Sequence, residues 1–253
     1  MCALGIGDPT DPVAAADPWS RQVLQLRMWF RDQYISCGTG IIIHHKRPFL
    51  LTALHNLTGR EPVTHECKSK TGALPNRVTF EGFFVAGAEN LYNGDNEPSS
   101  CTPLYWRHPK GTRIDVALLP LTAPPPNHSV VHSSFIDPAE NAKYIRLYVS
   151  QTCHIIGFPD GITIRPHEHV VFPIWKTGHL ASDPYIDIDS EPKLFIDATT
   201  RPGMSGSPVV VRDRDFTRFV GIYAGRHSEI GYVFKPPVIN EILHNGPSAE
   251  PLI

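Results

Sequence analysis

About a dozen short runs of Leu, Ile, Val and aromatic residues follow one another from residue 23 to residue 236, separated by turn residues. They are VLQLRMWF (23–30), GTGIIIHH (38–45), PFLLTALH (48–55), RVTFEGFFVAG (77–87), DVALLPL (115–121) and KYIRLYVS (143–150). CHIIGFP (153–159), HVVFPIWKTGHL (169–180), KLFIDAT (193–199), SPVVVRD (207–213), RFVGIYAG (218–225) and GYVFKP (231–236) complete the series. Strand-like runs at this spacing, with Gly and Pro between them, predict an all-β chain of barrels or a sandwich. The turn His45-Lys46-Arg47-Pro48 reads as a hairpin. A single helix is predicted, in PPVINEILHNG near the end. Pro237 suits its first turn, Val238/Ile242 and Ile239/Leu243 are i,i+4 pairs, and Gly246 can cap it.

The 253 residues, 25 of them proline, allow one large β unit or two smaller ones. The most turn-prone interval is LTAPPPNHSVVHSSFIDPAEN (121–141), which reads as the connection between two β units of similar size. The expected division is an N-terminal extension (1–21), a first unit (22–121), a linker (122–141), a second unit with the helix (142–246) and a tail (247–253). Ala88 to Lys110 reads as a long insertion on the first unit, and no internal repeat is visible.

A formal net charge of −2, with no long run of either sign, gives no electrostatic case for nucleic acid or an anionic membrane as partner. Asp8, Pro9, Asp11, Pro12 and Asp17 interrupt the first thirty residues, so no secretory signal is expected. The apolar runs are too short to span a bilayer. Five cysteines (Cys2, Cys37, Cys67, Cys101, Cys153) are scattered, without a CxxC pair or zinc-like spacing. They read as reduced thiols of a cytoplasmic protein. On that reading the N-x-S/T patterns at Asn56 and Asn127 carry no glycan. His167 and His169 would share one face of a strand, but no third ligand accompanies them. His128 and His132 lie in a Pro-rich loop. No metal and no cofactor are expected.

The stretch RPGMSGSPVV (201–210) sets a serine between glycines and runs directly into an apolar strand. A flexible linker has no reason to end that way; a tight turn that presents one hydroxyl does. A serine hydroxyl needs a general base within hydrogen-bond reach to act as a nucleophile. Histidine suits the task, and a buried carboxylate fixes its tautomer. His55 closes the apolar run FLLTALH, and Asp115 begins the continuous apolar run DVALLPL, where an unpartnered carboxylate would be costly. Asp115 has an alternative partner in neighbouring Arg113.

In the order His55, Asp115, Ser205, the segments TALH (52–55), DVALL (115–119) and GMSGSP (203–208) resemble the chymotrypsin-like (trypsin-like) serine proteases. IIGFPDG (155–161) and VGIYAG (220–225) are similar to second-barrel strands of the bacterial-type branch that includes the Deg/HtrA proteases. The resemblance covers roughly residues 22 to 244. It implies two six-stranded β-barrels and a short C-terminal helix, and a serine endopeptidase acting on protein or peptide substrates. It also implies Ser205 as nucleophile, His55 as base, Asp115 as the group that holds His55, and the N–H groups of Gly203 and Ser205 as oxyanion hole. No PDZ-like region is visible after residue 246, and a regulatory protein partner is inferred from cellular context alone.

Several departures stand beside the resemblance. Met204 replaces the acidic residue that switches on the digestive enzymes, so no zymogen of that type is expected. Cys37 precedes GTG as a half-cystine does in secreted relatives, but Asn56 stands where its partner would be, so that disulfide is expected to be absent. Leu54 is bulkier than usual before the histidine, and Ala224 stands where relatives carry a serine that supports the aspartate. The primary pocket implied is built from Thr199, Thr200, Tyr223, Ala224, Gly225, Arg226 and Gly231, with no carboxylate at its floor. Its hydroxyls, with Arg226 and His227, suit an acidic or small polar side chain; alternatively they bond backbone while Arg226 faces solvent. Two further readings stay open: a peptide-binding module on the same fold, catalytically weak or inactive, and ester or acyl-transfer chemistry at the same site.

Overall fold

The chain's computed structural model describes residues 16–61, 64–93, 101–123, 125–126, 130–131, 137, 143, 145–214 and 216–247. It opens with helix α1 (Pro18–Gln22), then strands β1 (Val23–Phe30), β2 (Gln33–His45) and β3 (Arg47–Thr52), and helix α2 (Leu54–Thr58). There follow β4 (Arg77–Glu81), β5 (Ala86–Asn90), β6 (Trp106–Arg107), β7 (Ala117–Pro120) and β8 (Val130–Val131). The remainder is β9 (Thr152–Gly157), β10 (Ile164–His167), β11 (Val170–Phe172), β12 (Ile174–Leu180), β13 (Lys193–Asp197), β14 (Pro208–Asp213), β15 (Phe216–His227), β16 (Ile230–Phe234) and α3 (Pro237–Asn245).

The first sheet runs β5-β4-β1-β2-β3-β7-β6, with β8 added in parallel to β2. Its ends meet without a ladder: Leu104 N–H donates to Leu91 C=O (2.9 Å) and Tyr92 bridges Pro103. The second unit is a closed barrel in the order β12-β13-β16-β15-β14-β9. The two-barrel, all-β architecture expected from the sequence is therefore present, with the second barrel closed and the first a half-barrel whose edge strands β5 and β6 share no ladder.

Period-2 alternation explains why several strands read as unbroken apolar runs. Ile42 of β2 and Ala117 and Leu119 of β7 fill the first barrel, with Leu24, Leu26, Leu50 and Val78. Val209 and Val211 of β14 fill the second, with Ile155, Ile196 and Val233. Their neighbours Ile41, Ile43, Leu118 and Val210 face outward, yet they are buried as well, in a shared core with Phe49, Phe158, Phe219, Ile222 and the α3 residues Val238, Ile239 and Ile242. Both faces of these strands are dry because the barrels pack against each other. The site lies at that seam.

The C-terminal helix is as expected, with Gly246 donating to Ile242 C=O (3.0 Å). The His45–Pro48 hairpin is also present, with Lys46 at φ 58°. Other expectations are corrected. Helix α1 was not anticipated: Asp17 caps it by accepting Trp19 N–H (2.8 Å), and Trp19 stacks on Phe219 of the second barrel (6.2 Å, 9°). The segment 145–150 forms no strand. Ile145 and Leu147 are buried, but their backbone partners are side chains, Arg218 for Ile145 C=O and Tyr185 OH for Leu147 N–H, and the chain turns at Ser150 (φ 67°). His167 ends β10 and His169 lies in the following turn, both exposed, so the shared strand face does not exist. His128 and His132 lie outside the described residues, as does most of the interval 122–141.

Candidate active site

His55 does not end a strand. It sits in the first turn of α2, one residue beyond Leu54 and immediately before Asn56. Gly59, at φ 66°, stops this helix and donates its N–H to His55 C=O (3.0 Å). Asp115 likewise stands ahead of its strand, between a single 3-10 turn (Gly111–Arg113) and β7. Both residues are buried. Asp115 Oδ1 accepts the His55 backbone N–H (2.8 Å) and Oδ2 faces His55 Nδ1 (2.6 Å). A carboxylate can only accept, so Nδ1 carries the hydrogen, and in the neutral imidazole Nε2 is the atom with the lone pair. His55 Nε2 is buried and has no partner among the described residues. Arg113, the alternative partner, turns away to Glu191 (3.0 Å). Ala224 is buried and offers no hydroxyl, so both bonds to Asp115 come from His55.

The serine loop is two consecutive turns. Met204 N–H donates to Arg201 C=O (3.2 Å) and Ser207 N–H to Met204 C=O (3.1 Å). Gly203 (φ 90°) and Gly206 (φ 89°) make the turns, and neither has room for a side chain. A Cβ on Gly203 would lie 2.3 Å from Phe158 C=O, and one on Gly206 would lie 2.0 Å from Thr39 C=O. Met204 anchors the loop in the second-barrel core. The N–H groups of Gly203 and Ser205 donate to no acceptor among the described residues.

Thr39, fully buried on β2, ties the loop to the first sheet. Its N–H donates to Ser205 C=O (2.9 Å), its Oγ1 donates to Gly203 C=O (2.8 Å), and Oγ1 accepts Phe158 N–H (3.0 Å). Thr52 Oγ1 donates to Thr39 C=O (2.7 Å). Asn56 Nδ2 donates to Thr52 Oγ1 (3.0 Å) and to Ser205 C=O (2.9 Å). Sequence reasoning missed this network. The available signal was Asn56 itself, a strongly polar residue within an apolar helical turn next to the histidine.

Ser205, His55 and Gly203 line one cleft of about 350 Å³ with Cys37, Lys68 and Asp160. No hydrogen bond joins Ser205 Oγ to His55 Nε2. Burial pushes the Cys37 thiol up and the Lys68 ammonium down from their ordinary values. Cys37, Cys67, Cys101 and Cys153 are free thiols. Among the described residues no group of three His, Cys, Asp or Glu side chains is placed to hold a metal, and no helix is long and apolar enough to cross a membrane.

Of the residues expected in the primary pocket, Thr200, Tyr223, Ala224 and Gly231 are buried, Gly225 is half-buried, and Thr199 and Arg226 are exposed. Thr200 Oγ1 and Tyr223 OH are hydrogen-bonded to each other. A Cβ on Gly231 would lie 2.9 Å from Tyr223 Cε2. The Tyr223 ring thus spans from Thr200 to Gly231. The Thr200 hydroxyl is engaged by the Tyr223 side chain and not by backbone, and Arg226 is exposed.

The trypsin-like peptidase domain model matches residues 38–222. No curated protein sequence matches the chain. Among solved structures, the active form of the Rv3671c protease from M. tuberculosis is 18% identical, with 97% of this chain and 90% of that one covered and a TM-score of 0.51. A serine endoprotease from Yersinia pestis is 14% identical over 89% of this chain and 62% of that one, with a TM-score of 0.55. Tobacco etch virus protease complexed with product is 14% identical over 86% of this chain and 74% of that one, with a TM-score of 0.50. The structural likenesses describe the fold, and the domain match, spanning more than half of the chain, supplies the family. The chain belongs to the trypsin-like peptidases.

Proposed function

We propose that this chain is a serine endopeptidase that works through Ser205, His55 and Asp115 by way of an acyl-enzyme. The observation that carries the reading is the His55 imidazole: it is held from Nδ1 by Asp115, its Nε2 lone pair is buried and unsatisfied, and Ser205 opens into the same cleft. Ser205 Oγ attacks the scissile carbonyl carbon while its proton passes to His55 Nε2. The carbonyl oxygen, now anionic, takes the two free N–H groups of Gly203 and Ser205. The C–N bond then breaks, with the proton delivered from Nε2 to the leaving amine. A water attacks the ester by the same route in reverse, its proton going to His55 and then to Ser205 Oγ. Asp115 keeps the imidazole in the accepting tautomer and stabilises the imidazolium.

Substrates are proteins or peptides with a small side chain before the scissile bond, because the Tyr223 ring occupies the space between Thr200 and Gly231. A second reading, a peptide-binding module with weak or no turnover, is favoured by the missing Ser205–His55 hydrogen bond, although such bonds often tighten only when substrate arrives. A fluorophosphonate probe separates the two. Labelling that maps to Ser205 and disappears in Ser205→Ala supports the hydrolase; a folded wild-type protein that binds peptide but never labels supports the module.

A further inference from the structure

Asn56 lies between the two halves of the site. It is 2% exposed, and its Nδ2 gives one hydrogen to Ser205 C=O and the other to Thr52 Oγ1. The Thr52 hydroxyl hydrogen goes to Thr39 C=O, and the Thr39 N–H gives the Ser205 carbonyl its second bond. The ring is closed, and the direction of each bond in it is forced. A flipped Asn56 would set its amide oxygen against the Ser205 carbonyl oxygen and against a Thr52 hydroxyl with no hydrogen left to give. Gly38 leaves the room the amide needs, since a Cβ there would lie 2.4 Å from Asn56 Nδ2.

We propose that Asn56 is a positioning residue for the reaction, locking the Ser205 backbone to the helix that carries His55. This rests on reading Ser205 as the nucleophile. The two reacting side chains come from different barrels, and among the described residues no disulfide holds the barrels together. The Ser205 carbonyl is instead held by two donors, both from the first sheet and its helix. Without Asn56, Thr39 N–H still holds the Ser205 carbonyl and Gly206 N–H still donates to Tyr223 C=O (2.8 Å), but those partners lie on β2 and on the second barrel, so the Ser205–Gly206 peptide loses its direct tie to the helix that carries His55. A displacement of about 1 Å at a reacting atom lowers rates about 10²-fold.

The test compares wild type, Asn56→Ala, Thr52→Val and the double variant as full-length chains. It measures the second-order rate of Ser205 phosphonylation, kcat and KM on one peptide substrate, and Tm. In Asn56→Ala, kcat and the phosphonylation rate should fall about 10–10²-fold with KM nearly unchanged. The double variant should lose little more than the worse single one, because the ring acts as a unit. A purely structural role would lower Tm and leave kcat of the folded fraction intact. If Asn56→Ala fails to fold, the isosteric Thr52→Val variant, which removes the hydroxyl that orients the amide, should show the same loss in kcat. A folded Asn56→Ala that labels like wild type, or a Thr52→Val with undiminished kcat, overturns the positioning role while leaving the nucleophile intact. Wild-type protein that never labels at Ser205 overturns both.

Discussion

Asp115→Asn changes one atom and should nearly abolish turnover, for a reason fixed by the backbone. The His55 N–H can only donate, and it takes one Asp115 oxygen at 2.8 Å. The single carbonyl oxygen of Asn must stay on that N–H, since turning the NH2 there would face two donors in a buried place. The amide NH2 then falls where Oδ2 stood, 2.6 Å from Nδ1. Nδ1 is forced to accept, and the imidazole hydrogen moves to Nε2, the atom that has to receive the Ser205 proton. A wrong tautomer in this kind of constellation lowers kcat about 10⁴-fold, which is about 5 kcal/mol of barrier. The assay is steady-state hydrolysis of a peptide amide by the purified variant beside wild type, with Tm measured on both. Shape and hydrogen-bond count are preserved, so Tm should move little. Asp115→Ala should instead lose stability as well, because it leaves the buried His55 N–H without an acceptor, worth about 1–3 kcal/mol. An Asp115→Asn enzyme within about tenfold of wild-type kcat would refute the tautomer argument.

Gly203→Ala should lower kcat about 10²–10³-fold, because a Cβ 2.3 Å from Phe158 C=O forces the turn and its N–H to move; steady-state kinetics with unchanged kcat would show that this N–H is not used. Tyr223→Val should widen acceptance from small to aromatic residues before the scissile bond, read by peptide-library cleavage, and an unaltered profile would remove Tyr223 from the specificity pocket. Among the described cysteines, alkylation by iodoacetamide with peptide mapping should find half-buried Cys67 before Cys37, which follows only as pH rises, since burial holds the Cys37 thiol up. Cys153, pushed up to about 12 by burial in the second-barrel core, should not react until the protein unfolds, and its labelling in the folded protein would contradict the packing described.

How far the chain could be read from its residues depended on which faces were buried. GTGIIIHH and SPVVVRD were legible as strands because β2 and β14 are dry on both sides, one toward a barrel interior and one toward the seam. The proline before Val238 and the glycine after Asn245 marked α3 by local chemistry alone. Helix α1 was hidden because its five residues carry no periodic pattern, and what holds it is distant: Trp19 on Phe219, and Ser20 accepting from Trp175 Nε1 (2.8 Å). KYIRLYVS looked like a strand by alternation, but alternation does not say whether a ladder partner exists. At the site, motif order was sufficient to bring His55, Asp115 and Ser205 to attention. It gave no account of the bonds Asn56 makes, or of the reach of the Tyr223 ring across to Thr200, which depends on how β13, β15 and β16 are registered.

The most direct measurement of the central claim is to catch the covalent intermediate. An activated ester substrate, quenched in acid during turnover and analysed by intact mass and peptide mapping, should leave one acyl group per chain, on Ser205. Substrate consumption with no acyl group on that residue, or undiminished turnover by Ser205→Ala, would contradict the account.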